Sequence, residues 1–318
     1  MLITLKRIHE TAREIASREH ASTMLIFSDI LWCWLHYGVT REDYAIFDFA
    51  LRSGLSRSKI VGYRKYLQLE KWFNISEARE LVDNKRGFLK NYGEFLGREW
   101  LTLADATESQ ARAFFERHAR VIQKPEDSEQ GRGIRRWESA DVLANPSLFS
   151  EVFTRGGILE ECLVQHPEMS RINDKCVNTI RVNSVVDGSG KVEIFSAVII
   201  AGASDAPINH LHAGGVMYPV DLKTGRVYAW GLNFRREKFY EHPSTGIFMP
   251  GFQVPMWKEV LEMVERAALK IPQARLIGWD VALTPERPVL IEANFRAGNT
   301  TYQWWDKGGA WKFLSSKR

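Results

Sequence analysis

Cysteine is scarce in this sequence: Cys33, Cys162 and Cys176 are the only three in 318 residues. They form no CxxC pair and no even set, which argues against a disulfide framework and a zinc ribbon and for packed, reduced thiols. Long apolar runs are lacking too. No stretch reaches the roughly 18 residues that a spanning helix needs. The nearest, TMLIFSDILWCWLHYG, is interrupted by Asp29 and runs into His36, so it reads as a buried amphipathic helix. MLITLKRIHETAREIASREH is charged throughout and has no signal-peptide core, so a cytoplasmic protein is expected. Neither sign of charge dominates: 43 Lys and Arg against 39 Asp and Glu leave a formal +4. Acids and bases alternate along the chain, which excludes the clustered basic face of a nucleic-acid binder. The eleven tryptophans are dispersed and read as packing residues.

What is present begins with helices. In residues 1–80, LITLKRIHETAREIASREH lines up Leu5, Ile8, Ala12, Ile15 and Ala16 on one stripe. Ser22 and Gly38 bracket a second helix, Thr40 opens a third that is expected to end at Gly54, and SRSKIVGYRKYLQLEKWFN makes a fourth. No repeat period appears, so this is a helical cap and not a solenoid. Residues 81–163 mix helix and strand, with ARVIQKP and ILEECLV as strands on either side of a polar loop, EDSEQGRGIRRW. Residues 164–318 are richest in strands. Hairpins are expected at DGSG and KTG, an amphipathic helix in PMWKEVLEMVERAALKIP, and a last strand pair in RLIGWDVALTPERPVLIEANF. The fold class is α+β with a helical N-terminal domain.

The last strand pair carries the chemistry. Asp280 and Glu292 are spaced to face each other across a short hairpin, and Asn294, two residues past Glu292, shares its face. Two carboxylates and an amide oxygen are hard ligands that suit Mg²⁺ held together with phosphates. Solvent-facing carboxylates are the plainer reading, but Val281, Leu283, Leu290, Ile291 and Ala293 mark a buried hairpin. Phosphates call for cations, and Lys85 and Lys124 are the candidates. The loop through Ser128, Gly131 and Gly133 reads either as a hairpin tip or as a flap over phosphates.

In the order Lys85, VIQKP with GRG, ILEECL, NTIRV and GWDVAL with VLIEAN, the chain resembles the ATP-grasp superfamily. Within it, the chain is similar to the sugar-transfer-associated ATP-grasp family over about residues 25 to 310. The resemblance implies an ATP-grasp fold of two α+β lobes clasping the nucleotide: a helical cap over 1–80, an N-terminal lobe over 81–163 and a C-terminal lobe over 164–318. It implies ATP with one or two Mg²⁺ ions as cofactors. Lys85 and Lys124 would contact phosphates, with Ser128, Gly131 and Gly133 in a mobile flap. Glu160, Glu161 and Leu163 would line the adenine hinge, and Asp280, Glu292 and Asn294 would hold the metal. Arg181 would stabilise the transferring phosphoryl group, and Gly298 would offer its N–H to a tetrahedral intermediate.

Many ligases of this kind carry an arginine two positions before the aspartate, where this chain has Gly278. Arg181, Arg275 and Arg296 are the candidates to replace it. The implied activity is ATP-dependent carboxylate–amine ligation through an acylphosphate, in polysaccharide or secondary-metabolite assembly. The partners would be a small carboxylate and an amine, sugar-linked ones included, with no nucleic acid and no membrane span; the oligomeric state stays open. Two other readings remain: a phosphotransferase acting on a hydroxyl, and a non-catalytic nucleotide-binding scaffold beside a glycosyltransferase. For His210 and His212, contact of one histidine with an acceptor substrate is the reading preferred to a zinc site.

Overall fold

Gly38 takes the left-handed conformation (φ 66°) that closes the second helix, and Thr40 opens the third with a capping box to Asp43. The computed structural model describes residues 2–127, 132–203, 214–305 and 309–318. The cap comprises α1 (Leu2–Arg18), α2 (Thr23–Tyr37), α3 (Arg41–Ile46), α4 (Gly54–Lys59) and α5 (Tyr63–Phe73). Gly54 therefore starts a helix, capped by the Ser53 hydroxyl, and does not end one as expected. The expected fourth helix is split because the chain at Gly62 passes Val39 so closely that a Cβ would lie 2.3 Å from Val39 Cγ1. The expected burial of α2 is corrected as well. Ile26, Ile30 and Cys33 are buried, while Met24, Leu25, Trp32, Trp34 and Leu35 face solvent. Neighbouring helices cover only one side of it.

Three short helices follow, α6 (Arg79–Val82), α7 (Lys85–Asn91) and α8 (Gly93–Leu96), and then the smaller sheet. Its strands are β1 (Trp100–Thr102), β2 (Arg120–Lys124), β3 (Arg135–Glu138) and β4 (Ile158–Glu161), in the order β1-β4-β2-β3 and antiparallel throughout. α9 (Glu108–Arg117), α10 (Ser139–Ala144) and α11 (Pro146–Arg155) supply its apolar cover, with Phe114, Phe115, Phe149 and Val152 buried.

The larger sheet has seven strands. They are β5 (Thr179–Val186), β6 (Val192–Ala201), β7 (Val216–Val220), β8 (Gly231–Leu232), β9 (Lys238–Phe239), β10 (Leu276–Leu283) and β11 (Pro288–Asn294). Their order is β11-β10-β5-β6-β7-β8-β9. The hairpins expected at DGSG and in the last strand pair are present. At KTG the return strand meets β7 through the isolated pairs Val220–Val227 and Met217–Leu232, with the Tyr228 N–H donating to the Pro219 carbonyl at 3.2 Å.

Alternation along these strands assigns the two faces. Ile277, Trp279 and Val281 pack with Ile180, Val182, Ala197 and Ile199 against the helix over Trp257–Ala268 and against Phe88 to Leu96. Val198, Ile200, Met217 and Leu232 point the other way, into the core of α1 to α3. Arg181, Gly278 and Asp280 share this second face, at the end of the sheet where the cap's apolar cover gives way to polar side chains. Among the described residues, no helix is long and apolar enough to cross a membrane.

Candidate active site

Registration places three charges in one row across three strands: Arg181 on β5 lies opposite Asp280 on β10, which lies opposite Glu292 on β11. The next row on the same face holds Asn183, Gly278 and Asn294. The expected juxtaposition of Asp280, Glu292 and Asn294 is therefore present. One extra residue, Ile291, is inserted between the Asp280–Glu292 and Val281–Leu290 pairs. It forms a β-bulge that turns the strand beside Glu292.

Arg181 grips Asp280 with two nitrogens, Nε to Oδ1 at 2.5 Å and Nη2 to Oδ2 at 2.8 Å. Burial opposes the charge on Asp280, but Arg181 and these hydrogen bonds hold its carboxyl below the usual aspartate range. Glu292 has no such partner. Glu292 keeps part of its side chain in solvent, yet the packed surroundings of its carboxyl and the negative charge of Asp280 push it up to about 7. The Asn294 amide lies between the two carboxylates, its Nδ2 donating to Glu292 Oε1 at 3.3 Å and Asp280 Oδ2 at 3.4 Å. A donor thus sits where a cation would neutralise the pair, and turning the amide over would present its oxygen instead. Among the described residues no group of three His, Cys, Asp or Glu is placed to hold a metal. Two carboxylates, an amide and phosphate or water oxygens fit Mg²⁺, which is seldom caged by protein alone.

Of the three arginines proposed to replace the one missing at position 278, Arg181 is the one on this row. Its Cδ lies 3.2 Å from where a Gly278 Cβ would stand. Arg275 turns away to the Val186 carbonyl and stacks over Phe73 at 5.1 Å. Arg296 pairs with Glu70 of α5 at 2.9 Å.

The lysines approach from the other side. Lys124 pairs with Glu160 at 2.8 Å, and Lys85 donates to the Glu126 carbonyl at 3.0 Å. Burial holds Lys85 below the usual lysine range, against the pull of Glu292 and aided by Lys124. Glu160 is buried, and Arg98 Nε reaches it at 2.5 Å, so its carboxylate is already engaged. Burial alone would raise Glu160, but Arg98 and Lys124 prevail and take it down to about 2. Glu161 accepts from the Glu99 N–H at 3.1 Å, and Leu163 is half-buried just beyond β4. Gly133 has φ 75° and its carbonyl accepts from Arg155 at 3.3 Å. The Gly298 carbonyl accepts from the Thr301 hydroxyl at 2.7 Å, and space is open where a side chain would project. Ser128 and Gly131, with His210 and His212, lie outside the described residues.

Two participants were missed. Asn183 stands two residues from Arg181, a strand period that could have signalled it, and donates to Ser196 at 2.8 Å and to Thr301 at 3.0 Å. Arg98 gave no comparable signal. It binds Glu160 on β4 and the Leu290 carbonyl on β11 at 2.7 Å, joining the two sheets.

The family profile for sugar-transfer-associated ATP-grasp proteins matches residues 145–316, more than half of the chain. The chain belongs to this ATP-grasp family. The profile spans Arg181, Asp280, Glu292 and Asn294. No curated protein sequence matches the chain. Among solved structures, the ATP-grasp ligase PsnB, complexed with minimal precursor, Mg and ADP, is 14% identical with a TM-score of 0.47, over 83% of this chain and 68% of that one. An N5-carboxyaminoimidazole ribonucleotide synthetase in its ADP complex is 12% identical with a TM-score of 0.46, over 76% of this chain and 53% of that one. D-alanyl-alanine synthetase A from Vibrio cholerae is 12% identical with a TM-score of 0.47, over 77% of this chain and 67% of that one. The ATP-grasp chain thus spans about half the length of the N5-carboxyaminoimidazole ribonucleotide synthetase.

Proposed function

We propose that this ATP-grasp protein is an ATP- and Mg²⁺-dependent ligase that joins a carboxylate to an amine through an acylphosphate, releasing ADP. The observation that carries the reading is the Arg181–Asp280–Glu292 row with Asn294 beside it, on the sheet face towards which Lys85 and Lys124 contribute their charge. Asp280, Glu292 and Asn294 would hold the metal, which when bound supplies charge neutralisation at the phosphates. Lys85 and Lys124 would bind and orient the phosphates. Arg181, fixed by Asp280, would lend its remaining donors to the oxygens that gain charge during transfer. Glu161 ends β4 and Leu163 lies just beyond it, where an adenine could meet backbone groups. Glu160 acts there by positioning Lys124, since its own carboxylate is taken. The open space beside Gly298 leaves room for the acceptor. The family's association with sugar transfer supports a sugar-linked carboxylate or amine as substrate.

Calorimetry of ATP binding with and without Mg²⁺, on wild type and on Glu292→Ala with Asn294→Ala, tests the site. Binding that needs Mg²⁺ and falls at least tenfold in the double variant supports it. A folded wild type that binds no ATP refutes it. ADP release that requires both a carboxylate and an amine then separates ligation from phosphoryl transfer to a hydroxyl.

A further inference from the structure

α2 is apolar on both sides. Its inner side buries Ile26, Ile30 and Cys33. On its outer side Met24, Ser28, Leu31 and Leu35 form a crest, flanked by Leu25 and Trp32. Met24 is 66% exposed, Leu25 71%, Trp32 47% and Leu35 65%. The one carboxylate of the helix, Asp29, is turned inward to Arg57 at 2.7 Å and Tyr44 at 2.6 Å, so the crest carries no formal charge. A helix apolar all round is normally one that is covered all round.

We propose that a second copy of this chain covers it, with α2 packing antiparallel on α2 across a two-fold axis. The crest residues recur at spacings of four, three and four, the period of a paired-helix seam. They are also symmetric about the point between Asp29 and Ile30. An antiparallel copy would set Met24 against the partner's Leu35 and Ser28 against the partner's Leu31, small against large. Because the contact is isologous, any charge on the crest would be buried twice in the seam, once from each copy, and the crest has none. Antiparallel helices also oppose their macrodipoles.

The area fits. With a large side chain presenting about 150–250 Å², these residues and the neighbouring Trp34, 56% exposed, leave roughly 600 Å² of apolar surface on each copy. That approaches the ~800 Å² per partner of a stable dimer and reaches the upper limit for a bare patch on a monomer. The surface is partly pre-ordered: Trp32 stacks on His36 at 4.7 Å and meets the edge of Tyr37 at 5.3 Å, whose hydroxyl donates to the Gly54 carbonyl at 3.2 Å. Side chains held in this way lose little entropy on docking. A lipid surface fits less well, because helices that lie on membranes carry lysines and arginines along their polar side, and α2 has neither residue.

Sedimentation velocity on the full chain tests the proposal. Wild type is expected at twice its 36.6 kDa mass. Met24→Glu and Leu35→Glu, both on exposed positions, are expected to weaken dimerisation about a hundredfold or more while the far-ultraviolet circular dichroism spectrum of the folded chain stays unchanged. In a Cys162→Ser background, Met24→Cys combined with Leu35→Cys should form an interchain disulfide, whereas Met24→Cys alone should not. A wild type that stays monomeric overturns the proposal, and so does one that instead floats with phosphatidylglycerol vesicles. A dimer indifferent to Leu35→Glu, or cross-linking through Met24→Cys alone, overturns it equally.

Discussion

A methyl group added at Gly278 would come within 2.9 Å of Asn183 Oδ1 and 3.2 Å of Arg181 Cδ. The glycine leaves room for an arginine that arrives from the neighbouring strand. Gly278→Ala is therefore expected to cost about 1–3 kcal/mol in urea unfolding, as overpacking does, and to weaken Mg²⁺-dependent ATP binding by displacing Arg181. Stability close to wild type would show that Arg181 has no need of this gap. Two glutamates make opposite contributions to the pH dependence. Glu292 rises from 4.5 to about 7 on folding, so the native state holds the extra proton. Its contribution is complete below about pH 4.5 and is lost as pH climbs through 7. Glu160 falls from 4.5 to about 2, so its contribution is present above pH 4.5 and is lost as pH drops through 2. In ligand-free protein, Glu292→Gln should flatten the neutral limb of the stability–pH curve and leave the acid limb unchanged. A neutral limb unaltered in Glu292→Gln would contradict the raised value.

At the scale of elements, the cap clamps the chain that leaves β11. Asn74 Nδ2 donates to the Phe295 and Leu276 carbonyls at 2.9 Å each, and its Oδ1 accepts from the Leu276 N–H at 2.8 Å. Asn299 donates to the Val61 carbonyl at 2.9 Å, and Glu70 holds Arg296. Asn74→Ala strips three buried bonds and is expected to cost about 3 kcal/mol or more, since each stranded group costs about 1–3. Hydrogen exchange should speed up at Leu276, whose N–H loses its acceptor. Protection at wild-type level there would mean that the cap does not hold this segment. None of this clamp could be read from the sequence, because its partners lie some 200 residues apart. What could be read was local: Gly38 as a C-cap, Thr40 as an N-cap, and the hairpin that sets Asp280 opposite Glu292. The split at Gly62 was hidden because a tertiary contact with Val39 decides it, and the open side of α2 was hidden because its composition is the same on both faces.

Across the whole molecule, one buried guanidinium joins the two sheets. Arg98 reaches Glu160 on β4 at 2.5 Å, the Leu290 carbonyl on β11 at 2.7 Å and the Ile291 carbonyl at 3.3 Å. Ile291 is the bulged residue beside Glu292, so the same side chain steadies the turn next to the metal-ligand candidates. Arg98→Met keeps the bulk but leaves Glu160 with Lys124 alone and two strand carbonyls unpaired. Breaking such a pair from one side costs about 3–5 kcal/mol. Because the lost contacts cross between sheets, the loss should appear as uncoupling as well as weakening: scanning calorimetry should resolve two transitions where wild type gives one. Arg98→Lys restores the charge but not the planar fork that serves an acid and two carbonyls together, so rescue should be partial. Mg²⁺-dependent ATP affinity should fall in Arg98→Met, although Arg98 is not itself placed among the ligand-binding residues. A single transition shifted only in midpoint, with ATP affinity intact, would make Arg98 a stabiliser of one sheet and leave the coupling of the two lobes to the apolar contacts between them.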